Sequence, residues 1–169
     1  ESMSICFLEG GDYRDFIARQ PDTASCFQTG KIMDETGNII GEHDGIGNYT
    51  IGQKRGIPLK NGNPQYVAKI DARNNQIIAC DKSSLYRTEL LVKNYHFIDP
   101  QEFLATDIEV KVRGLGLNPQ GYAQISTLPD TSLLVRLAAP AWAVAPGQPV
   151  AFYRGDRVIG GGILCEQQN

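Results

Sequence analysis

Gln148-Pro149-Val150-Ala151-Phe152-Tyr153, then Gly155-Asp156, then Arg157-Val158-Ile159-Gly160-Gly161-Gly162-Ile163-Leu164 is the stretch that decides the fold. Two runs of apolar and β-branched residues flank a Gly-Asp pair, the signature of a β-hairpin. Similar runs precede it. In Asp107 to Arg113 the residues Ile108, Val110 and Val112 alternate onto one face, and Gly121 to Leu128 and Ser132 to Ala138 follow. Several short strands separated by turns within one domain predict a small closed barrel. Gly160-Gly161-Gly162 precedes strand sequence, not a helix, so no helix amino terminus can face a phosphate there. The same holds for Gly114-Leu115-Gly116, with Pro119 just beyond. Both are expected at barrel kinks, where another backbone comes close.

Toward the amino terminus the pattern changes. Asp12-Tyr13-Arg14-Asp15 reads as a helix start, with Asp12 as cap and Asp15 three residues on, and Pro21 as its end. Lys31-Ile32-Met33 and Asn38-Ile39-Ile40 flank Thr36-Gly37, a second hairpin signature, and Tyr49-Thr50-Ile51 reads as a short strand. Gln65 to Asp71 and Gln76 to Cys80 are two further β-like runs joined by Ala72-Arg73-Asn74-Asn75. Polar Asp81-Lys82-Ser83-Ser84 marks a boundary. The expected organisation is a leading segment over 1–16, a small β-rich central domain over 17–83 with one short helix, and a β-barrel over 84–169; the class is mainly β. Glu1 is no start methionine, and the expectation is a piece of a longer protein.

The 169 residues are 41% apolar and 21% charged, which fits folded domains and not a disordered chain. The richest apolar run, Leu133 to Ala145, is broken by Arg136 and Pro140, so no transmembrane span is expected. A soluble cytoplasmic protein with no membrane partner is the expectation. The formal net charge of −3 hides a segregation: residues 1–50 carry −6, residues 51–80 carry +4 and residues 81–169 carry −1. The positive segment contains Lys54, Arg55, Lys60, Lys69 and Arg73 against Asp71 alone. A phosphate backbone responds to such a local field whatever the total charge; a solvated loop is the plainer alternative.

Four cysteines, Cys6, Cys26, Cys80 and Cys165, form no Cys-x-x-Cys, and with only His43 and His96 present no metal site is expected. Reduced thiols suit a chain this long and apolar better than structural disulfides. A Cys6–His43 nucleophile–base pair is conceivable, but a solvated turn histidine in Glu42-His43-Asp44-Gly45 is the plainer reading.

Ser4-Ile5-Cys6-Phe7 with Gly11-Asp12-Tyr13-Arg14-Asp15-Phe16, and Gly41-Glu42-His43-Asp44-Gly45 with Tyr49-Thr50-Ile51-Gly52-Gln53-Lys54-Arg55-Gly56, together resemble the tRNA-specific 2-thiouridylases. So does the closing run Trp142-Ala143-Val144-Ala145-Pro146-Gly147-Gln148, with Phe152-Tyr153 and Gly160-Gly161-Gly162-Ile163. The likeness spans essentially the whole chain. It implies the central and carboxy-terminal domains of an enzyme that places sulfur on C2 of the wobble uridine in the tRNA anticodon, the second domain being a translation-factor-like β-barrel. Cys6 would be the catalytic cysteine that carries a persulfide, loaded by a cysteine desulfurase or sulfur-relay protein. A disulfide comes with the resemblance as a family feature, with no pair assigned. Lys54, Arg55, Arg113, Gly114 and Gln148 would bind tRNA. Mg-ATP would be used by an amino-terminal ATP-pyrophosphatase domain carrying a Ser-Gly-Gly-x-Asp-Ser loop, which this sequence lacks, so the chain alone is expected to be inactive and to hold no cofactor. Departures are modest: Ser4 replaces an acid or glycine, Lys54-Arg55 inverts the usual order, and Gly114 replaces an aromatic.

The chemistry suits the residue types. A thiolate is both nucleophile and carrier, and cations in a glycine-bounded loop can hold phosphates without reading sequence. The rival is a non-catalytic RNA-binding module, barrel plus basic loop, with Cys6 incidental. A methyltransferase would need a methyl-donor loop, which is not found.

Overall fold

The computed structural model describes residues 13–20, 23–60, 65–113 and 117–166. Cys6 and Gly114 lie outside them, as do the expected helix cap Asp12, the expected helix end Pro21 and the Gly114-Leu115-Gly116 run. The chain forms two compact units, 1–84 and 85–169.

In the first unit the helix α1 (Tyr13–Ala18) precedes strands β1 (Gly30–Met33), β2 (Ile39–His43), β3 (Tyr66–Asp71) and β4 (Gln76–Cys80). The sheet order is β2-β1-β4-β3. Two hairpins build it. In the first, the Asp34 carboxylate accepts from the backbone amides of Thr36 and Asn38, both at 2.9 Å, and Gly37 takes φ +89. In the second, Asp71 accepts from the amides of Arg73 and Asn74, and Asn75 takes φ +50. Short Asx residues close such turns because they bond their own backbone and tolerate the left-handed region. A parallel pairing of β1 with β4, Ile32 opposite Ile77, joins the hairpins. Ile32, Ile46, Tyr49, Val67, Ile77 and Ala79 form the core.

Both outer edges of this sheet are occupied by one segment. Gly52 donates to the carbonyl of Val67 at 2.8 Å, and Val67 donates back to the carbonyl of Gln53 at 2.9 Å, covering β3. Leu59 bridges Gly41, and Lys60 donates to Ile40 at 2.8 Å, covering β2. Residues 52–60 therefore span the seam of a curled sheet. The expected strand at Tyr49-Thr50-Ile51 is not one. Gly45 at φ +125 starts a 3-10 turn over Ile46–Asn48, and Gly52 at φ +87 turns the chain again. The 3-10 turn runs to Asn48 and the next turn takes Ile51 and Gly52, so only Tyr49 and Thr50 lie between them, too few for a strand.

In the second unit six strands follow: β5 (Tyr86–Phe97), β6 (Glu109–Lys111), β7 (Gln124–Thr127), β8 (Leu133–Trp142), β9 (Pro149–Arg154) and β10 (Arg157–Cys165). Their order is β6-β9-β10-β5-β8-β7, every pair antiparallel. Among the described residues the sheet edges then meet through a single bridge between Ile108 and Ala123, whose amide donates to the Ile108 carbonyl at 2.7 Å. The sheet thus curls into the barrel that the short alternating runs predict. Phe97 stacks on Phe152 at 5.3 Å and meets Phe103 edge-on, filling the interior with Ile108, Leu133, Val135 and Ile159. The longest strand, β5, carries no clean alternation in sequence and is not among the expected runs.

The glycine run sits where the close approach is. A Cβ on Gly161 would lie 2.6 Å from the Val150 carbonyl oxygen, and one on Gly162 would lie 2.5 Å from Val92 Cγ1. The register shifts between Gly161 and Ile163 against β5 and between Val158 and Gly160 against β9, as bulges do where a sheet must bend. Among the described residues no helix is long and apolar enough to cross a membrane.

Candidate nucleic-acid interface

Lys54 and Arg55 lie at the tip of the seam segment, between Gly52 and Gly56, which take φ +87 and +72. Both side chains reach solvent. The Lys54 ammonium stands 5.6 Å from the Tyr66 ring centroid, a cation–π contact that aligns the side chain without neutralising it. Within the tip, Gln53 Oε1 accepts from the Thr50 amide at 3.0 Å, and Gln53 Nε2 donates to the Arg55 carbonyl at 2.9 Å. The pair of cations is therefore presented on a backbone fixed both to strand β3 and to itself.

Beside this segment an open groove of about 580 Å³ is lined by Glu42, Asp44, Tyr49, Ile57 and Pro58, among others. Tyr49 donates its hydroxyl to the Asp44 carboxylate at 3.1 Å, and burial, with that bond to Asp44, pushes its pKa up to about 12. Two carboxylates on the wall make the groove unsuited to phosphate. His43, expected as a solvated turn residue, is instead 2% exposed. Its Nδ1 accepts from the Gly45 amide at 3.1 Å, and its Nε2 lies 3.2 Å from the Asn75 carbonyl. An Nε2–H tautomer satisfies both contacts, so the ring serves as a buried brace between β2 and the β3–β4 turn.

In the second unit Arg113 and Gln148 converge on one loop, residues 142–148. Arg113 donates from one terminal nitrogen to the carbonyl of Trp142 at 2.9 Å and from the other to that of Ala143 at 2.8 Å. Its own backbone is held by Asn118, whose Oδ1 accepts from the amides of Val112 and Arg113 and whose Nδ2 donates to the Arg113 carbonyl. Gln148 Oε1 accepts from the Ala145 amide at 2.9 Å, closing the turn through Gly147 at φ +86. Sequence reasoning singles out both residues as contacts; what it misses is that each side chain is engaged in shaping this loop. Gln53 and Asn118 are not singled out by it. Gln53's only sequence signal is its place inside the glycine-bounded motif.

Among the described residues Cys26, Cys80 and Cys165 form no disulfide. Cys80 is buried, and burial pushes the Cys165 thiol up. The expected disulfide therefore has no pair among them. No cluster of three or more His, Cys, Asp or Glu able to hold a metal ion occurs among the described residues. No described strand runs into an α-helix, so the phosphate cradle that Mg-ATP would need is not built from them.

Comparison with known families adds identity to this geometry. The family model described as the tRNA methyl transferase PRC-barrel domain matches residues 14–81, and that of the aminomethyltransferase β-barrel domain matches residues 87–164. The chain is 40% identical over 167 residues to the tRNA-specific 2-thiouridylase MnmA of Natranaerobius thermophilus, a match that covers 98% of this chain and 44% of that protein. It is 39% identical over 164 residues to the tRNA-specific 2-thiouridylase MnmA 1 of Caldanaerobacter subterraneus, covering 97% of this chain and 44% of that protein. With the tRNA-specific 2-thiouridylase MnmA 3 of Phocaeicola vulgatus it shares 38% over 170 residues, 99% of this chain and 44% of that protein. The chain thus spans less than half the length of these relatives. With both β domains matched in order along most of its length, the chain belongs to the tRNA-specific 2-thiouridylase family and corresponds to the central and carboxy-terminal domains.

Proposed function

We propose that this chain is the tRNA-holding part of an enzyme that places sulfur on C2 of the wobble uridine. The observation that carries the reading is the seam segment of the first unit: it covers both sheet edges and offers Lys54 and Arg55 outward on a braced backbone. Cations held this way meet phosphates and position an RNA without reading its bases. Loop 142–148 of the barrel, shaped by Arg113 and Gln148, is the second contact, with Gly114 beside Arg113 in sequence. Cys6 carries the sulfur as a persulfide, loaded when its thiolate takes the outer sulfur from the persulfide of a cysteine desulfurase or sulfur-relay protein, whose own thiolate leaves. Mg-ATP belongs to an ATP-pyrophosphatase domain outside this chain, in the cytoplasm of the cell. The described residues do not fit that cofactor.

Two measurements test the reading. An unmodified tRNA transcript with uridine at the wobble position is titrated with the chain over a series of salt concentrations. Binding that weakens steeply with salt is expected, and no binding at low salt overturns the reading. Mass spectrometry after incubation with a desulfurase and cysteine is expected to find one extra sulfur on Cys6. Sulfur on another cysteine would end that assignment. Binding without any sulfur on Cys6 would favour the rival, a non-catalytic RNA-binding module.

A further inference from the structure

We propose that Gln53 is the positioning residue of the Lys54–Arg55 loop, setting tRNA affinity through these two cations and not by touching RNA. The inference rests on the reading of that loop as a phosphate contact. Gly52 and Gly56 bound the loop in the left-handed region, where glycine imposes no conformation of its own. Left to its glycines, the tip would be a flexible hinge carrying two long side chains, and binding would have to order all of it.

Gln53 removes that freedom with four bonds. Its amide donates to the Thr50 carbonyl at 3.0 Å, and its carbonyl accepts from Val67 at 2.9 Å, so its backbone is pinned to β3. Its side chain then reaches back to the Thr50 amide and forward to the Arg55 carbonyl. An acceptor is needed at one end and a donor at the other, and among the side chains of this length only a carboxamide supplies both in one plane. Lys54 lies between the two anchored points, and Tyr66 lies beneath its ammonium. The clamp thus spends Gln53's oxygen and one amide hydrogen on the loop's own backbone.

Five forms of the chain separate the roles: wild type, Gln53→Ala, Gln53→Met, Lys54→Ala/Arg55→Ala, and that double variant with Gln53→Ala added. Gln53→Met keeps the length and apolar stem while removing both polar atoms, and a native urea midpoint identifies it as folded. Affinity for the unmodified tRNA transcript is read across a salt series. Both single variants are expected to weaken binding about three- to ten-fold, the range for a lost hydrogen-bonded brace, with the salt slope unchanged because both cations remain. On the double-variant background the Gln53→Ala effect is expected to vanish, since side chains that act through one another are not additive. A Gln53→Ala effect of the same size on that background overturns the inference, because Gln53 would then meet RNA directly or act through the fold at large. If the double variant loses affinity while both Gln53 variants bind like wild type, this inference alone fails. If the double variant binds like wild type, the reading of the loop fails and takes the inference with it.

Discussion

The Arg113 guanidinium donates to the carbonyl oxygen of Ala143 at 2.8 Å, and Ala143 holds φ +48, a conformation an alanine adopts only when its surroundings insist. The second bond, to Trp142, and the Asn118 clamp on the Arg113 backbone supply that insistence. A cation that sequence reasoning assigns to tRNA is thus engaged with the turn that leads to Gln148.

Replacing Arg113 by Ala is expected to destabilise the second unit by about 2 kcal/mol, the range for hydrogen bonds from a charged donor. Trp142, the single tryptophan, reports this directly in urea unfolding followed by fluorescence. Arg113→Lys is not expected to restore stability, because one ammonium cannot reproduce a planar fork on two successive carbonyls. The salt slope of tRNA binding should stay as in wild type. A slope reduced by about one would instead place a phosphate on this guanidinium.

Lys54→Ala and Arg55→Ala are each expected to weaken tRNA binding and to reduce the salt slope by about one for each phosphate no longer neutralised. Stability should be unchanged, since both side chains reach solvent. An unchanged slope in both variants would make the positive segment a solvated loop.

Gln148→Ala removes the acceptor of the Ala145 amide. A loss of about 1 kcal/mol in the second unit is expected, as for one hydrogen bond. A neutral amide releases no counterion, so tRNA affinity should fall without a change of salt slope. Calorimetric titration at two salt concentrations checks the binding, and urea unfolding checks the stability.

Acid weakens the first unit through Asp34. Bonds from the Thr36 hydroxyl, then from the Asn38 amide and side chain, hold its carboxyl down at about 2 from an ordinary 3.8. Because the folded value lies below the unfolded one, the stabilisation is complete above about pH 4 and is lost as pH falls toward 2. Asp71 is lowered in the same sense, chiefly by the Asn74 side chain. Urea midpoints measured against pH should therefore fall through that window in wild type and fall less steeply in Asp34→Ala.

Gly161→Ala is expected to cost about 1–3 kcal/mol, since its Cβ would meet the Val150 carbonyl and the strands must part. Gly155→Ala meets nothing within 4 Å but sits at φ +57, and should cost about 1 kcal/mol from backbone strain alone. Urea denaturation of the two variants separates crowding from strain.

Which parts of this are legible in the sequence follows from range. Strands β3 and β4 can be read nearly to the residue because their apolar spacing and the Asx turn between them are local. The glycine-rich kink in β10 is legible for the same reason. Strand β5 is not: Arg87, Glu89, Lys93 and His96 interrupt its apolar residues, and Asn94 at φ +50 breaks the alternation. His43 reads wrongly as solvated because Asn75, thirty-two residues on, meets its ring only when the sheet has folded. The clamp of Arg113 on Ala143 spans thirty residues and leaves no mark in spacing.

Among the described residues one bridge, Ile108 to Ala123, laces the barrel of the second unit shut. A ring closed at a single rung has a fixed place to unzip. Breathing there costs less than anywhere along the long β5–β8 or β5–β10 ladders, so the amides flanking Ala123 should be the first of the sheet to exchange with solvent. It also sets the hazard the fold must manage, because an unlaced ring offers two bare margins, β6 and β7, that the same margins of a second copy can complete.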